Sequence, residues 1–566
     1  MRPALLFLLL SSAIPSDAQI FPPVNYPRGY FRDPLDIPIS LSGNFGELRP
    51  NHYHMGFDIR TRQRVNLPVH AAADGYIAKI KIEPAGFGRA IYINHPNGYT
   101  TVYCHLNDFT PALEKYVKDL QYKTESWKQF ADIPPGLFPV KKGDFIAWSG
   151  TTGGSEAPHV HFEIRSTADD MNHNPMLFGM PLPDDTRPVV TRVAFYDRTR
   201  SIYEQSPRYV ALKTTPAGYT TIFPIIMVDY SKIGFAISAT DTHSGSTNPN
   251  GIFEADLFND ENPIVGFQMD NISYATTRNI NAHIDYKTRA TGGPFLQQLF
   301  QLPGYQHSIY RQTGGDGAID ISDGKVHDIR IAVKDGYGNT SELETKVRCL
   351  APVKKAPPPG KMYYPGMLDG FESAACEFYI GESCLYDSVH IVYHETAATS
   401  PQAVSSVHSI GAAWIPLQDY MLVRIKPSVP INEAFRDRIV MQRFAGTHKE
   451  VTKVEWQKEW AAAKFREMGS FQLLLDTTPP VITAGFAEGA NLGKATRIVI
   501  NVHDNLGAYG GFRALLDGNW LRFTNDKGLA FIYNMDEKCP PGSHILEVSA
   551  TDEAGNTAKK TFRFIR

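Results

Sequence analysis

Alternation of apolar and polar residues with a period of two is the feature that most restricts the fold of this chain. It is clear in PHVHFEIR, which begins at Pro158, and in two longer segments that begin at Lys325 and Gly542. Such alternation puts successive side chains on opposite faces of a strand. The turn dipeptides Asp74-Gly75 and Asn97-Gly98 lie between similar runs and are strong hairpin signals. The sequence therefore predicts a mainly β fold.

Length and composition limit the class of protein further. A chain of 566 residues predicts about four domains, and its 42% hydrophobic content is enough for several cores. The net charge of −3 gives no electrostatic reason to expect binding to nucleic acid or to an anionic membrane surface. Five cysteines are too few for a disulfide scaffold. Cys376 and Cys384 are close enough in sequence to pair, and the sequence leaves that question open.

The first 18 residues have the layout of a secretory signal peptide. One basic residue precedes the apolar run from Ala4 to Leu10, and Ser16-Asp17-Ala18 has the small residues of a cleavage site. The run is too short for a membrane anchor, and we find no later stretch that could form a transmembrane helix. The lack of a cysteine before Cys104 argues against lipoprotein attachment. We expect an exported protein, periplasmic or extracellular.

The mature chain divides into an N-terminal unit and three further β-rich modules. In the N-terminal unit (19–180), a segment with a helical pattern, about 107–136, interrupts the strands. The segments from Lys325 and Gly542 both end in Asp-x-x-Gly-Asn-Thr, and each module that contains one opens on a similar Pro-containing stretch, near Asp185 and Asp476. This repetition predicts immunoglobulin-like β-sandwiches. The expected bounds are 185–350 for the second module, 361–475 for the third and 476–566 for the fourth, with a Pro-rich linker before the third.

Histidines gather in the N-terminal unit near expected strand ends. NHYHMGFD contains His52, His54 and Asp58, and three further histidines follow in VYCHL and PHVHFE. The two in PHVHFE share one face of a strand. A catalytic zinc needs about three His, Asp or Glu ligands, an open position for water and a group that moves a proton. Spacing alone makes a zinc site a hypothesis.

The order of these blocks resembles a known family. HMGFD, PVHAAADGYI, VYCHL, VKKGDFIAWSGTTGG and PHVHFEIR are similar to the lysostaphin-type (LytM-like) zinc metallopeptidases, over roughly residues 43–178. The resemblance implies that one zinc ion is bound by His54, Asp58 and His161. It also implies that His105 and His159 assist catalysis, one as general base and one as oxyanion donor, without saying which does which.

Neighbouring residues allow two interpretations. His52 falls outside the family pattern and is expected at a rim or surface, with a contribution to the pocket as the alternative. Glu163 continues the strand face of His161, either as support for a ligand or as a plain exposed residue. Cys104 is expected in a core beside Val102. The helical insertion and the Glu156-Ala157 pair depart from the shortest family members and leave the specificity open.

Two other motifs are set aside as metal sites. YHETAAT begins like the helical zinc motif His-Glu-x-x-His, but Ala398 occupies the position of the second histidine. Asp335 and Asp552 could bind calcium, although Asp, Gly and Asn suit a tight turn without any metal.

The resemblance implies a zinc metalloendopeptidase that hydrolyses the peptide cross-links of bacterial peptidoglycan. One alternative is an exported cell-wall scaffold or activator with a peptidase-like domain and binding β-sandwiches. Another is a peptidase that acts on Gly-rich proteins. The C-terminal sandwiches are expected to be the surface for any protein partner.

Overall fold

This computed structural model confirms a mainly β architecture with little helix. The signal segment 1–18 lies outside the described residues. None of the helices in the described part is long and apolar enough to cross a membrane. The structure describes residues 20–216, 218–398, 400–507, 509–528 and 530–566.

The N-terminal unit is built on a nine-stranded antiparallel sheet. The strands of this unit are β1 (Leu41–Gly43), β2 (Leu48–Arg49), β3 (His52–Tyr53), β4 (Phe57–Arg60), β5 (Pro68–His70), β6 (Gly75–Ile82), β7 (Arg89–Asn94), β8 (Tyr99–Cys104), β9 (Gln129–Asp132), β10 (Pro139–Val140), β11 (Phe145–Trp148), β12 (His159–Ser166) and β13 (Asn172–His173). The order in the sheet is β1-β4-β12-β8-β7-β6-β10, with β13 beside β12 and β9 beside β6. β2 pairs with β3, and β5 with β11.

One of the two hairpin predictions is confirmed and the other is wrong. Asn97-Gly98 joins the antiparallel strands β7 and β8, and Gly98 has the left-handed φ of 84° that such a turn requires. Asp74-Gly75 lies between β5 and β6, which belong to different sheets. The local turn signal was correct there, but the pairing depends on distant strands that a dipeptide does not report.

The segment 107–136 is only partly helical. Helix α1 (Pro111–Thr124) has proline at its first position and turns Leu113, Val117 and Gln121 toward the protein. It ends at Glu125, whose φ of 47° is left-handed. The chain then returns as β9, which pairs with β6. The segment is therefore anchored on the main sheet.

The second module contains two sheets. Its strands are β14 (Val189–Asp197), β15 (Arg208–Val210), β16 (Leu212–Thr215), β17 (Gly218–Thr221), β18 (Ile226–Val228), β19 (Lys232–Thr240), β20 (Glu254–Asn259), β21 (Asn262–Gln268), β22 (Gln297–Gln298), β23 (Tyr310–Gln312), β24 (Ile319–Asp320), β25 (Val326–Lys334) and β26 (Thr340–Cys349). One sheet has the order β15-β14-β19-β22, with β24 beside β19. The other has the order β16-β17-β26-β25-β20-β21-β23, with β18 beside β26. Helices α2 (Ile280–His283) and α3 (Tyr286–Ala290) lie between β21 and β22.

The third module is a sandwich of two five-stranded sheets with an additional strand pair. Its strands are β27 (Lys361–Tyr363), β28 (Asp369–Glu372), β29 (Cys376–Ile380), β30 (Val389–Ile391), β31 (Tyr393–Thr396), β32 (Val407–Ile410), β33 (Pro416–Ile425), β34 (Ile439–Ala445), β35 (His448–Lys453), β36 (Glu455–Gln457), β37 (Trp460–Glu467) and β38 (Gly469–Leu475). The sheet orders are β28-β29-β33-β37-β36 and β31-β32-β38-β34-β35.

The fourth module has a three-stranded and a five-stranded sheet, β39-β41-β44 and β40-β46-β45-β42-β43. Its strands are β39 (Val481–Ala484), β40 (Ala490–Asn491), β41 (Arg497–His503), β42 (Tyr509–Leu516), β43 (Asn519–Trp520), β44 (Phe531–Asn534), β45 (Ser543–Asp552) and β46 (Thr557–Ile565). The two similar segments that begin at Lys325 and Gly542 form the antiparallel hairpins β25–β26 and β45–β46. In the described part of the chain, five 3₁₀ turns complete the regular structure: Pro175–Phe178, Ile202–Glu204, Thr277–Asn279, Glu433–Arg438 and Asp526–Gly528.

The apolar cores do not stop at every module boundary. One core runs from Phe57 and Phe162 in the N-terminal unit to Phe235 and Leu257 in the second module. A second core joins Tyr196 and Phe300 of the second module to the third, whereas the fourth module has its own core. Burial of apolar surface therefore holds the N-terminal unit and the second module together.

The five cysteines are buried free thiols. The structure does not join Cys376 to Cys384: Cys384 Sγ lies 3.3 Å from the carbonyl oxygen of Tyr420 and accepts from the Gly381 amide.

Candidate functional site

Two adjacent strands bring an aspartate and a histidine together. Asp58 on β4 lies directly opposite His161 on β12, so both side chains leave the same face of the sheet. Val160 and Phe162 point to the other face, into the main core, as the alternation predicts. His54 comes from the turn before β4. Gly56 lies so close to β12 that an added Cβ would be 2.3 Å from the Phe162 carbonyl oxygen.

His54, Asp58 and His161 form a compact group of donor atoms. Nε2 of His54 lies 3.0 Å from Oδ1 of Asp58 and 3.0 Å from Nδ1 of His161. Nδ1 of His161 lies 2.9 Å from the same Asp58 oxygen. These atoms all lie within 4.8 Å of one another, and all three residues are buried. The group is a candidate metal centre.

Partners outside the group determine which ring nitrogen faces it. Nδ1 of His54 lies 2.7 Å from the carbonyl oxygen of Asn44, and Nε2 of His161 lies 2.9 Å from Oε1 of Glu163. Both partners are acceptors, so these ring nitrogens carry the protons when the rings are neutral. The other nitrogen of each neutral ring then has its lone pair directed at the group. Such outer contacts orient metal-binding histidines.

The ionised form of Asp58 is strongly favoured. Burial would raise the pKa of its carboxyl, but the charge of His54 and hydrogen bonds from the surrounding rings hold the pKa well below its ordinary value. Arg49 binds the second carboxylate oxygen, with Nη2 3.2 Å from Oδ2. Burial also lowers the pKa of His161, but hydrogen bonds to Asp58 and Glu163 outweigh it and raise this pKa to about 9.

His105 reaches the site through an irregular backbone. Strand alternation puts Cys104, opposite His161, on the site face and would turn His105 away. His105 has instead a left-handed φ of 62° just after β8. Its Nδ1 donates to the Thr152 carbonyl at 2.8 Å, which leaves Nε2 without its proton. Burial beside His159 and His161 lowers the pKa of His105 to about 3, so the ring is neutral near neutral pH.

His159 stands beside His105 at the opening of the site. Its Nδ1 donates to the carbonyl oxygen of Ala157 at 2.8 Å. Its Nε2 lies 3.2 Å from Oδ1 of Asp58, and the two ring centres of His159 and His105 are 4.8 Å apart. His54, His105 and His161 are buried, whereas His159 is only partly buried. The structure thus places all five predicted site residues at one cavity.

The cavity has a volume of about 670 Å³ and is bounded by the turn before β4 on one side and residues 154–157 on the other. His52 lies on its wall, is exposed, and contacts the Pro50 carbonyl at 2.8 Å. His52 is therefore an exposed rim residue, as expected, and it also borders the pocket, as in the alternative interpretation. Cys104 packs with Ala90, Tyr92 and Val102 in a small separate cluster.

The interpretation of Glu163 as an exposed residue is wrong. Its side chain is fully buried, accepts from His161, and forms an ion pair with Arg165 at 2.5 Å. Burial would raise the pKa of Glu163, but the charge of Arg165 and the hydrogen bond from His161 lower it to about 2. Tyr274 of the second module donates to the same carboxylate at 2.5 Å. Alternation along β12 could have revealed Arg165, whereas no local pattern indicates Tyr274.

Replacing Glu163 by glutamine is expected to weaken metal binding by about 10- to 100-fold, because the carboxylate that orients His161 becomes a neutral amide. Competition with a chromogenic chelator measures the affinity. Asp170→Asn is the matched control, since Asp170 is exposed and pairs with Arg165 at 3.0 Å without contacting His161. Equal affinities of E163Q and the parent protein would contradict this role.

The fourth module touches the loop that carries the supports of His105 and His159. Oδ1 of Asp526 accepts from the Gly153 amide at 2.7 Å, and the Lys527 ammonium donates to the Ser155 carbonyl. The Lys527 amide donates to the Pro84 carbonyl at 2.7 Å. The same module contacts α1 through Lys118, which pairs with Asp536 at 2.8 Å. The loop is therefore held from outside the N-terminal unit.

Asp526→Ala is expected to lower any hydrolytic activity by up to about 10-fold with unchanged metal content, because the Gly153 amide loses its acceptor. Asp526→Asn keeps an acceptor oxygen and is expected to retain activity. Values of kcat/KM and of metal per chain for both variants test this. Full activity of D526A would show that the loop needs no support from the fourth module.

The His-Glu pair of YHETAAT, which resembled the start of a helical zinc motif, does not lie on a helix. His394 and Glu395 lie on strand β31 and are separated from the cavity by the whole second module in sequence.

Two parts of this chain match known protein families. The model of peptidase family M23 matches residues 52–122, and a Zu5-like domain model matches residues 368–476. A DD-carboxypeptidase/endopeptidase Mpg of Neisseria meningitidis serogroup B is 31% identical over 134 residues, which is 24% of this chain and 24% of that protein. An uncharacterized metalloprotease of Haemophilus influenzae is 30% identical over 182 residues, 31% of this chain and 32% of that protein.

Among solved structures, the catalytic domain of lysostaphin from Staphylococcus simulans is 25% identical with a TM-score of 0.18, and the match covers 24% of this chain and 87% of that chain. The similarity to the Neisseria protein extends over about a quarter of that relative's length. The N-terminal unit, which carries the histidine-lined cavity, contains a domain of peptidase family M23, matched at residues 52–122.

Proposed function

We propose that this chain is an exported zinc metalloendopeptidase that hydrolyses the peptide cross-links of bacterial peptidoglycan. The observation that carries the proposal is the common orientation of four imidazoles, three of which contact the Asp58 carboxylate. In His54, His161, His105 and His159, one ring nitrogen contacts an acceptor outside the group, and the other faces the cavity. A purely structural cluster of histidines has no need for this common orientation.

The donor set of His54, Asp58 and His161 fits zinc. Ligands at 2.0–2.1 Å around a tetrahedral zinc lie about 3.3 Å apart, close to the 2.9–3.0 Å between these three atoms. Two neutral imidazoles whose lone pairs face each other at 3.0 Å repel unless a cation or proton lies between them. Three ligands with His105 and His159 at the open side match a catalytic site better than a closed structural one.

When bound, zinc would lower the pKa of a water and polarise the scissile carbonyl. The chain's own residues provide the remaining chemistry. Nε2 of His105 and of His159 face the cavity, where one can take a proton from the water and pass it to the leaving amine. The other ring, once it is protonated, can donate a hydrogen bond to the oxyanion that forms on the attacked carbonyl. Thr152 and Ala157 hold the two rings in place through their carbonyl oxygens.

The substrate and the compartment are supported less directly. The Neisseria relative is named a DD-carboxypeptidase/endopeptidase, and another relative, from Staphylococcus capitis, is named a glycyl-glycine endopeptidase. Both names support a peptide substrate. Residues 1–18 have the composition of a signal peptide, which would deliver the protein to the cell wall.

Mass spectrometry of purified cross-linked wall peptides, incubated with the zinc-loaded full chain, tests the proposal. Conversion of dimeric to monomeric peptides that stops with a chelator and returns with zinc is the expected result. A chain that binds zinc tightly but leaves wall peptides intact, and instead cleaves glycine-rich proteins, contradicts the substrate. A folded chain that binds no zinc would favour the scaffold alternative.

A further inference from the structure

The Asp-x-x-Gly-Asn turns of the second and fourth modules bring together more than turn residues. As expected for a turn, Oδ1 of Asp335 accepts from the amides of Tyr337 and Asn339 at 2.9 and 2.8 Å. Oδ1 of Asp552 accepts from the Asn556 amide at 2.7 Å. Each turn aspartate also meets two further carboxylates. Asp335 lies with Asp184 and Asp241, and Asp552 lies with Asp476 and Asp504, each trio having ligand oxygens within 4.8 Å of one another.

The two trios occupy equivalent positions in their modules. Asp241 directly follows β19 and Asp504 directly follows β41. Asp184 lies six residues before the buried Val190, as Asp476 lies six before the buried Ile482. The similarity of the two entry stretches had paired Asp476 with Asp185. The positions of the following strands instead make Asp184 the equivalent of Asp476.

The entry aspartates also share two hydrogen bonds. Asp184 Oδ1 accepts from the amide of Thr186 at 2.9 Å, and Asp476 Oδ1 from that of Thr478 at 3.1 Å. In each module the turn asparagine donates to the carbonyl oxygen of the entry aspartate, at 3.3 Å in the second and 3.0 Å in the fourth. A trio that arises twice at equivalent positions and with these shared hydrogen bonds is a feature of the module and not a chance cluster.

The trio of the second module contains carboxylate oxygens without a partner. Asp241 is only 5% exposed, and its Oδ1 is buried without a hydrogen-bond partner among the described residues. Oδ2 of Asp184 is in the same situation. Burial and the negative charges of Asp184 and Asp335 raise the pKa of Asp241 to about 7. A buried carboxylate beside like charges is unfavourable unless a cation or a proton compensates it.

We propose that Asp184, Asp241 and Asp335 bind one Ca²⁺ ion. Oxygens that share a calcium ion at 2.3–2.6 Å lie at most about 5 Å apart, in agreement with the 4.8 Å limit of this trio. Calcium accepts several protein carboxylates and carbonyl oxygens in irregular geometry, whereas magnesium retains waters and zinc prefers nitrogen or sulfur donors. The ion would tie the segment that leaves the M23 domain to two strand ends of the second module.

Tyr337 should allow metal binding at this trio to be detected by luminescence. Tyr337 belongs to the turn that carries Asp335, and its backbone amide donates to Oδ1 of that aspartate at 2.9 Å. The equivalent position in the fourth module is Ala554. Terbium, which replaces calcium, should therefore show tyrosine-sensitised emission from the second module's trio. The full chain is dialysed against EGTA, freed of the chelator and reloaded with zinc, and Tb³⁺ is then titrated in as the probe and displaced with Ca²⁺.

We expect saturable emission that Ca²⁺ displaces and that Asp241→Asn weakens at least 10-fold in affinity. Asp185→Asn is the matched control, because Asp185 is exposed, carries the same charge, and contacts Ser244 instead of the trio. Tyr337→Phe should lose emission while equilibrium dialysis with Ca²⁺ alone still shows the same binding. Circular dichroism confirms folding, and Asp184→Asn replaces D241N if that variant is unfolded.

Two results would overturn the proposal. One is a parent protein whose emission is absent or is displaced as well by Mg²⁺ as by Ca²⁺. The other is a folded D241N or D184N protein that binds Ca²⁺ with the same affinity and stoichiometry as the parent.

Discussion

Replacing His161 by alanine is expected to remove most of the bound zinc and to abolish hydrolysis of cross-linked peptides. The substitution deletes one of three inward-facing donors and leaves Asp58 and His54 as a two-ligand set. It also leaves the buried Glu163 without the ring that it orients. Because metal affinity depends on the number of ligands, zinc per chain should fall from about one toward zero. Elemental analysis after gel filtration and a peptide-cleavage assay measure the two quantities.

His54→Ala is expected to behave in the same way, since Nε2 of His54 belongs to the same donor set. His52→Ala is the matched control: His52 is a histidine two residues before His54, it is exposed, and among the described residues its ring has a hydrogen-bond contact only with the Pro50 carbonyl. It should keep zinc and most activity. If H161A retained a full equivalent of zinc, His161 would not be a ligand.

His159→Ala is expected to give the opposite combination, with zinc retained and activity lost by about 10²- to 10⁴-fold. His159 faces the cavity from its more open side, and its removal leaves all three predicted ligands and their supports in place. The experiment is informative because Nε2 of His159 also lies 3.2 Å from Oδ1 of Asp58, near enough for the roles to be exchanged.

The same pair of measurements, zinc per chain and kcat/KM, distinguishes the two assignments. Loss of zinc in H159A together with retention in H161A would reverse the roles of the two rings. His105→Ala serves as a comparison for H159A. His105 is held by the Thr152 carbonyl, and its replacement is expected to lower activity with little effect on zinc content.

Much of the candidate site could be predicted because β-strands impose a simple rule. Alternation in PHVHFEIR placed His159 and His161 on one face and Val160 and Phe162 on the other, and the structure agrees. The same rule fails at His105. Strict alternation assigns Cys104 to the site face, and only a single left-handed residue returns His105 to the cavity. The residue types around His105 do not indicate this left-handed backbone angle.

Contacts between distant segments were also beyond prediction. Tyr274 reaches Glu163 from 111 residues away, and Asp526 reaches Gly153 from 373 residues away. The carboxylate trios show the same limitation, because the turn motif revealed Asp335 and Asp552 but not the strand ends that meet them. Sequence spacing reports what one strand or turn does, whereas a site built between modules depends on how whole sheets pack.

The continuous core between the M23 domain and the second module has a consequence for how such proteins can evolve. Phe57 and Phe235 belong to one apolar cluster, and Gly46 lies so close to Met269 that an added Cβ would be 2.5 Å from its side chain. Recombination that exchanged one partner for a foreign homologue would create voids and clashes at this seam. The two segments should therefore be inherited as a pair, whereas exchange of the fourth module would leave the apolar seam intact and would instead alter polar contacts such as that of Asp526 with Gly153.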